Sequence, residues 1–220
     1  MSQDPLRFFN AQALSSDYRL FYGRISLMAK SVLFIDGENF LHKVEDVLKE
    51  EGIDKNKVDL TLVDLDKLFK EALKSFSVSR KIFYASRLHL HPDTERKSKE
   101  LIKIQRKLKN NLLRLGYEFV IAGNVRAQKV NGKTIFREKG VDVKIAVDLV
   151  ALACDKKLDT AILCSSDSDL QPAVKELRTR GVEVVYLGFE TNPNKGLTYT
   201  TSRTILLRNP EVIAALPKAR

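Results

Sequence analysis

Residues 31–39 read SVLFIDGEN, and the fold follows from how this stretch changes character partway along. Ser31–Asp36 is a short apolar run ending in an acid. It reads as a buried strand, because polar residues do not alternate through it. From about Glu38 to Glu50 the apolar spacing becomes helical, and Gly52 closes that helix. A buried strand that feeds directly into a helix is the opening of an α/β unit.

Outward from this point the alternation repeats. An amphipathic helix is expected over Asp64–Lys74, with Leu65, Leu68, Phe69 and Leu73 on one face. A strand follows at 81–86 (KIFYAS). Pro92-Asp93-Thr94 then starts a long helix reaching about Leu115, with Leu101, Ile104, Leu108, Leu112 and Leu115 at three/four spacing. Its other faces carry Arg96, Lys97, Lys99, Lys103, Arg106, Lys107, Lys109 and Arg114, which suits either a solvated face or a nucleic-acid track. Residues 117–122 (YEFVIA) form a third strand, and 125–138 a hairpin turning at Asn131-Gly132. Gly140 precedes a helix over about 141–155, then come a strand at 160–165, a helix over 168–180 ended by Gly181, and a strand at 182–188. These elements predict a three-layer α/β sandwich around a mostly parallel, Rossmann-like sheet, with an inserted β-hairpin.

The main domain is expected to span 30–190. Residues 191–220 pack on it or complete it, through a loop at Asn192–Gly196, a short strand or helix near Thr204–Leu207 and a helix near Pro210–Leu216. Residues 1–29 form an N-terminal extension in which Arg7, Asp17, Arg19 and Arg24 leave no continuous apolar core, so it is not a secretory signal. Met28 stands just before the first strand, so a dispensable extension and an over-long start both remain open.

Composition narrows the function. At 44 % hydrophobic residues the chain can bury a full core, yet nothing approaches the roughly 18 apolar residues of a membrane span. Cys154 and Cys164 are not a close pair and both read as buried free thiols, which fits a reducing cytoplasm. His42, His89 and His91 lack zinc-site spacing and have no cysteines near them. No Gly-rich dinucleotide or Walker-type motif follows the first strand. Lys and Arg number 38 against 28 acids, a net charge of +10, which draws the chain toward polyanions.

In an open α/β sheet, ligands bind outside the carboxyl ends of the strands. Asp36 ends the first strand, Asp167 and Asp169 follow the fourth core strand in CSSDSD, and Asp142 opens the helix after the hairpin in KGVDVK. These acids converge on one rim if the sheet is parallel. Packed carboxylates repel, and a cation relieves them. Oxygen-only ligation favours Mg²⁺ or Mn²⁺ over zinc. Each acid also has a plainer use, because Asp caps helices, and Asp142 and Asp167 both stand just before one. Asp36 resists that account, since it ends an apolar strand and Gly37 leaves room beside it. Asp148, six residues past Asp142, points about 120° away on the same helix. It suits a supporting role or a pairing with a base more than direct ligation of the same ion.

Three stretches, FIDGEN with Asp36 and Asn39, KGVDVKIAVD, and LCSSDSDLQPAVKELRTRGVEVVYLG, resemble the ordered motifs of the NYN domain, specifically its LabA-like group, which is related to the PIN-domain nucleases. The resemblance covers about residues 31–190. It implies a PIN-like sheet, metal-ligating acids at Asp36, Asp142 and Asp167 with Asp169 close by, a role for Asn39 beside the metal, and Asp148 as a motif position. It implies RNA cleavage. Attack on the phosphate by a metal-activated water, with the 3′ oxygen as leaving group, would give products bearing 5′-phosphate and 3′-hydroxyl ends. Ser165 and Ser166 stand where relatives often have Gly or other small residues, and their hydroxyls serve either phosphate or an ordinary turn. Arg126, Lys129, Lys133, Arg137 and Lys139 on the hairpin are expected to grip the backbone of single-stranded RNA. Tyr84, Phe136 and Tyr199 are candidates for base stacking or for core packing. A homodimer is left open. Two rivals stand beside this reading. One is an RNA-binding module of the same fold without catalysis. The other is a phosphohydrolase of the haloacid-dehalogenase type, which would need an acid of the Asp type at position 38, where this chain has Glu38.

Overall fold

The computed structural model describes residues 30–90, 94–130 and 133–217, with side chains for all of these except 126–130 and 133–138. The expectations for the N-terminal extension and for the Asn131-Gly132 turn lie outside the described residues. So do those for the side chains of Arg126, Lys129, Lys133, Phe136 and Arg137.

The strands are β1 (Ser31–Asp36), β2 (Val78–Arg87), β3 (Glu118–Val130), β4 (Lys133–Lys139), β5 (Thr160–Cys164), β6 (Glu183–Phe189) and β7 (Arg203–Leu207). The helices are α1 (Gly37–Glu50), α2 (Leu65–Phe69), α3 (Glu95–Arg114), α4 (Val141–Cys154), α5 (Gln171–Thr179), α6 (Lys195–Thr200) and α7 (Asn209–Ala215). Among the described residues they build one sheet in the order β4-β3-β2-β1-β5-β6-β7. Every neighbouring pair is parallel except β3 and β4, the two arms of the hairpin.

The unbroken apolar run of β1 has a direct cause. Leu33 and Ile35 point into one cluster with Phe40, Val44 and Val47 of α1, Leu68 of α2, Leu112 of α3 and Val212 of α7. Val32 and Phe34 point the other way, against Ile145 and Leu149 of α4, Val174 of α5 and Leu197 of α6. The period of two therefore sends alternate residues into two different cores, and neither face can be polar. This is the three-layer sandwich the alternation predicts.

Some boundaries differ from the sequence reading. The helix expected over Asp64–Lys74 is regular only through Phe69. Beyond it, Lys74 N–H bonds Glu71 O and Phe76 N–H bonds Leu73 O, three-residue closures that tighten the chain into turns. The third strand and the first hairpin arm are one continuous strand, β3. The helix expected from Ser168 opens as a tight turn, Ser168–Leu170, before α5. The Asn192–Gly196 stretch runs into a short helix, α6, because the Asn194 side chain accepts from Leu197 N–H. Near Thr204–Leu207 the chain forms a strand, and β7 pairs in parallel with β6. Cys164 is buried as expected, but Cys154 is exposed, because it falls on the outer face of α4 while its neighbour Ala153 takes the core-facing position. Tyr84 is fully buried and packs on Phe34, so of its two readings the core one holds, whereas Tyr199 is 84 % exposed.

The topology also marks a place for ligands. From β1 the chain moves to β2 and β3 in one direction, while β5, β6 and β7 extend the sheet in the other. The direction reverses between β1 and β5, which opens a crevice at their carboxyl ends.

Candidate metal and phosphate site

Asp36 and the loop Ser165–Asp169 flank that crevice. Asp36 caps α1, its Oδ1 accepting from Asn39 N–H at 3.2 Å, while its Oδ2 accepts from the Ser165 hydroxyl at 3.1 Å. Only 6 % of Asp36 is exposed. Burial raises its pKa above the ordinary value. The two hydrogen bonds oppose that rise, and the nearby charges of Asp167 and Glu38 add to it. Asp36 is thus a carboxylate held where negative charge is poorly tolerated.

The β5 loop is fixed from several sides. Ser165 Oγ also accepts from Asp167 N–H (3.1 Å), and Ser166 N–H donates to Asn39 Oδ1 (2.9 Å). Asn39 therefore ties the first helix to a loop 127 residues away. On the far side, Asn194 Nδ2 donates to Ser166 O at 2.8 Å, and the Tyr186 hydroxyl lies 3.2 Å from Ser166 Oγ. Sequence reasoning missed Asn194 and Tyr186. Asn194 looked like part of a loop, and Tyr186 like one more residue of an apolar strand.

Asp142, Asp167 and Asp169 come together: each offers a carboxylate oxygen, and these oxygens lie within 4.8 Å of one another. Asp167 doubles as a cap, accepting from Asp169 N–H at 2.9 Å. Asp142 is no cap. The residue before α4 is Gly140, with φ at 96°, and no side chain caps this helix. That left-handed conformation favours glycine, and it brings the chain out of β4 at the angle that starts α4 beside the loop. Asp142 then sits in the first turn, where free backbone N–H groups favour an anion.

Asp36 lies outside this trio, though close enough to Asp167 to feel its charge. Asp148 lies outside it too. Its oxygens accept from the Tyr84 hydroxyl (3.0 Å) and from Lys144 one turn earlier. Burial, and after it the contact with Asp148, raises the Tyr84 pKa. Lys139, at the end of the hairpin, is exposed. A groove of about 610 Å³ leads away from Asp142 and Asp169 between α4 and α5, lined by Val147, Ala146 and Ala173.

The donor set is all oxygen, three carboxylates in a space that brings their charges into repulsion. It fits a hard divalent cation such as Mg²⁺ or Mn²⁺ and offers nothing to a soft one.

A doubly wound sheet with carboxylates gathered at the carboxyl-end rim near its reversal point defines the class: an α/β protein with an acidic site at that rim. Residues 30–207 match the NYN domain model, and the chain belongs to the NYN family, whose domain is that of the PIN-like ribonucleases. Among solved structures, the fold is similar to that of a protein of unknown function from Vibrio parahaemolyticus. The TM-score is 0.51 at 18 % identity, covering 83 % of this chain and 95 % of that one. No curated protein matches the chain. Among the described residues no helix is long and apolar enough to cross a membrane.

Proposed function

We propose that this protein is a ribonuclease of the LabA-like NYN group, hydrolysing phosphodiester bonds with the help of Mg²⁺ or Mn²⁺. The observation that carries the proposal is the approach of Asp142, Asp167 and Asp169 to within 4.8 Å, beside the buried Asp36. Asp142, Asp167 and Asp169 would hold the ion, with Asp36 beside them. When bound, a divalent ion supplies an activated water and polarises the scissile phosphate. The chain's own residues do the rest. Asn39 spends its side-chain oxygen on the Ser166 N–H, so its amide nitrogen is the group left to donate toward a phosphate oxygen. The Ser165 hydroxyl holds Asp36 in place and is thereby committed to the protein. Asp148 supports α4 through Tyr84 and Lys144 rather than ligating.

Single-stranded RNA is the proposed substrate. Besides the hairpin cations, Arg96, Lys103, Arg106 and Lys109 on α3 are exposed, and among the described residues none of the four has an ion-pair partner. Such cations lend affinity by releasing counterions, so binding should weaken steeply with salt.

The test is incubation of labelled single-stranded RNA with purified protein and Mn²⁺, Mg²⁺ or EDTA, beside Asp142→Asn and Asp167→Asn. Metal-dependent products with 5′-phosphate ends, absent in both variants, are expected. A protein that binds RNA but leaves it intact under every metal would instead be an RNA-binding module of the same fold.

A further inference from the structure

A second cavity, of about 420 Å³, opens between α1 and α3 at the carboxyl ends of β1 and β2. Gly37, the residue after Asp36, forms part of its wall. In the sheet, β2 lies on one side of β1 and β5 on the other. The cavity lies on the α1 and α3 face of the sheet and reaches the rim at Gly37, next to Asp36, whereas the groove beside Asp142 and Asp169 lies on the opposite, α4 and α5 face.

The lining is apolar in its depth and polar at its edge. Phe83, Leu41, Leu60 and Leu108 supply walls, while Glu38 and Gln105 stand among the polar groups. Gln105 donates through its amide nitrogen to Ser86 O at 2.8 Å, which leaves its amide oxygen as an acceptor. Ser86 also lines the cavity, is 8 % exposed, and its hydroxyl has no partner among the described residues. No Lys or Arg lines this cavity, and Glu38 and Glu45 do, so a phosphate is the wrong guest. A saturated chain would leave the Ser86 and Gln105 groups unmatched. A flat heterocycle with an apolar face and hydrogen-bonding edges matches both kinds of wall.

We infer that this cavity seats an unstacked nucleobase of the bound strand, close to the phosphate to be cut, and that it favours bases with an exocyclic amine. The inference rests on the ribonuclease reading for the strand's identity. The preference follows from the acceptors: an amine of adenine or cytosine can donate to the Glu38 carboxylate or the Gln105 amide oxygen, and uracil presents carbonyls there instead.

The experiment uses the full chain in EDTA, with adenosine, cytidine, uridine and inorganic phosphate as separate probes in ligand-observed NMR titrations. Adenosine and cytidine should bind about tenfold more tightly than uridine, the worth of one hydrogen bond, and phosphate should not compete with them. Ile104→Trp places a ring at the mouth from a position already 45 % exposed, and should abolish nucleoside binding. His42→Trp does the same from the opposite wall and serves if the first variant does not fold. Nucleosides that do not bind, that bind both filled variants as well as the wild type, or that show no preference against uridine would overturn the inference. Because no metal is present, this outcome is independent of cleavage. Nucleoside binding without RNA cutting would defeat the ribonuclease reading alone, and cutting without nucleoside binding would defeat only the base pocket.

Discussion

Gly37→Ala sets two ordinary rules against each other at the edge of the site. Gly37 is the first residue of α1, and helix propensity alone favours alanine there by about 1 kcal/mol at most. The space says otherwise. A β-carbon on Gly37 would stand 2.2 Å from Phe83 Cε1 and 2.4 Å from the Tyr84 carbonyl oxygen, where ordinary contact is 3.4–4 Å. A ring can tilt, but that carbonyl belongs to β2, where Tyr84 is paired with Asp36. Relief by about 1 Å must come from the backbone of the central strands, which puts the cost near the top of the roughly 1–3 kcal/mol range for overpacking. Less the propensity gain, a net loss of about 2 kcal/mol remains. For a chain of this size that corresponds to a melting point about 4–8 °C lower. Circular dichroism melts, with urea titrations to check the free energy, measure it. A melting temperature equal to or above the wild type's would refute the reasoning, because it would mean that α1 can lift off β2 without loss.

Other outcomes follow from the same geometry. Tyr84→Phe removes only the hydroxyl that donates to Asp148, and should destabilise by about 1.5–3 kcal/mol in urea titrations, since the acceptor is charged. An unchanged midpoint would show that Lys144 alone satisfies Asp148. In metal-free protein the raised pKa of Asp36 carries a definite sign. Stability is greatest while that carboxyl is protonated and is lost as pH rises from the ordinary carboxylate value, about 4, through the higher folded one. Denaturant midpoints against pH should show this decline in the wild type and a shallower one in Asp36→Asn. Equal slopes would mean that Asp36 is not the group responsible. Mn²⁺ at about a hundred times its dissociation constant should stabilise the wild type by about 2.7 kcal/mol. Thermal shifts for Asp142→Asn and Asp167→Asn should lose that gain, and a full shift in both would remove the trio as the binding site.

The fold was legible because β1 and α1 obey simple periods, and each later repeat does the same. The acids were legible as strand-end residues for the same reason: a parallel sheet brings its carboxyl ends to one side. What the sequence could not display was how the acids divide. Asp36 is spent on Asn39 and Ser165, while Asp142, Asp167 and Asp169 face one another, a distinction set by side-chain contacts that the tertiary fold creates, such as the bond from Ser165 to Asp36 across 129 residues. Asn194 was hidden for the same reason, since its partner Ser166 is brought near only by the β5–β6 crossover. Helix ends such as that of α2 depend on local closures that a period of 3.6 does not encode.

The bond from Ser166 N–H to Asn39 also bears on when the proposed site can exist. Synthesis runs from the amino end, and early segments begin to fold before late ones emerge. Asp36 and Asp142 are made well before Asp167, and β1 lacks its β5 neighbour until residues 160–164 arrive. Until then one long side of the central strand is an open edge, able to pair with the wrong chain. The same event that closes this edge delivers Ser166 to Asn39 and Asp167 to Asp142. A nascent chain still attached to its messenger therefore carries no assembled acid cluster until Asp167 and Asp169 have been made.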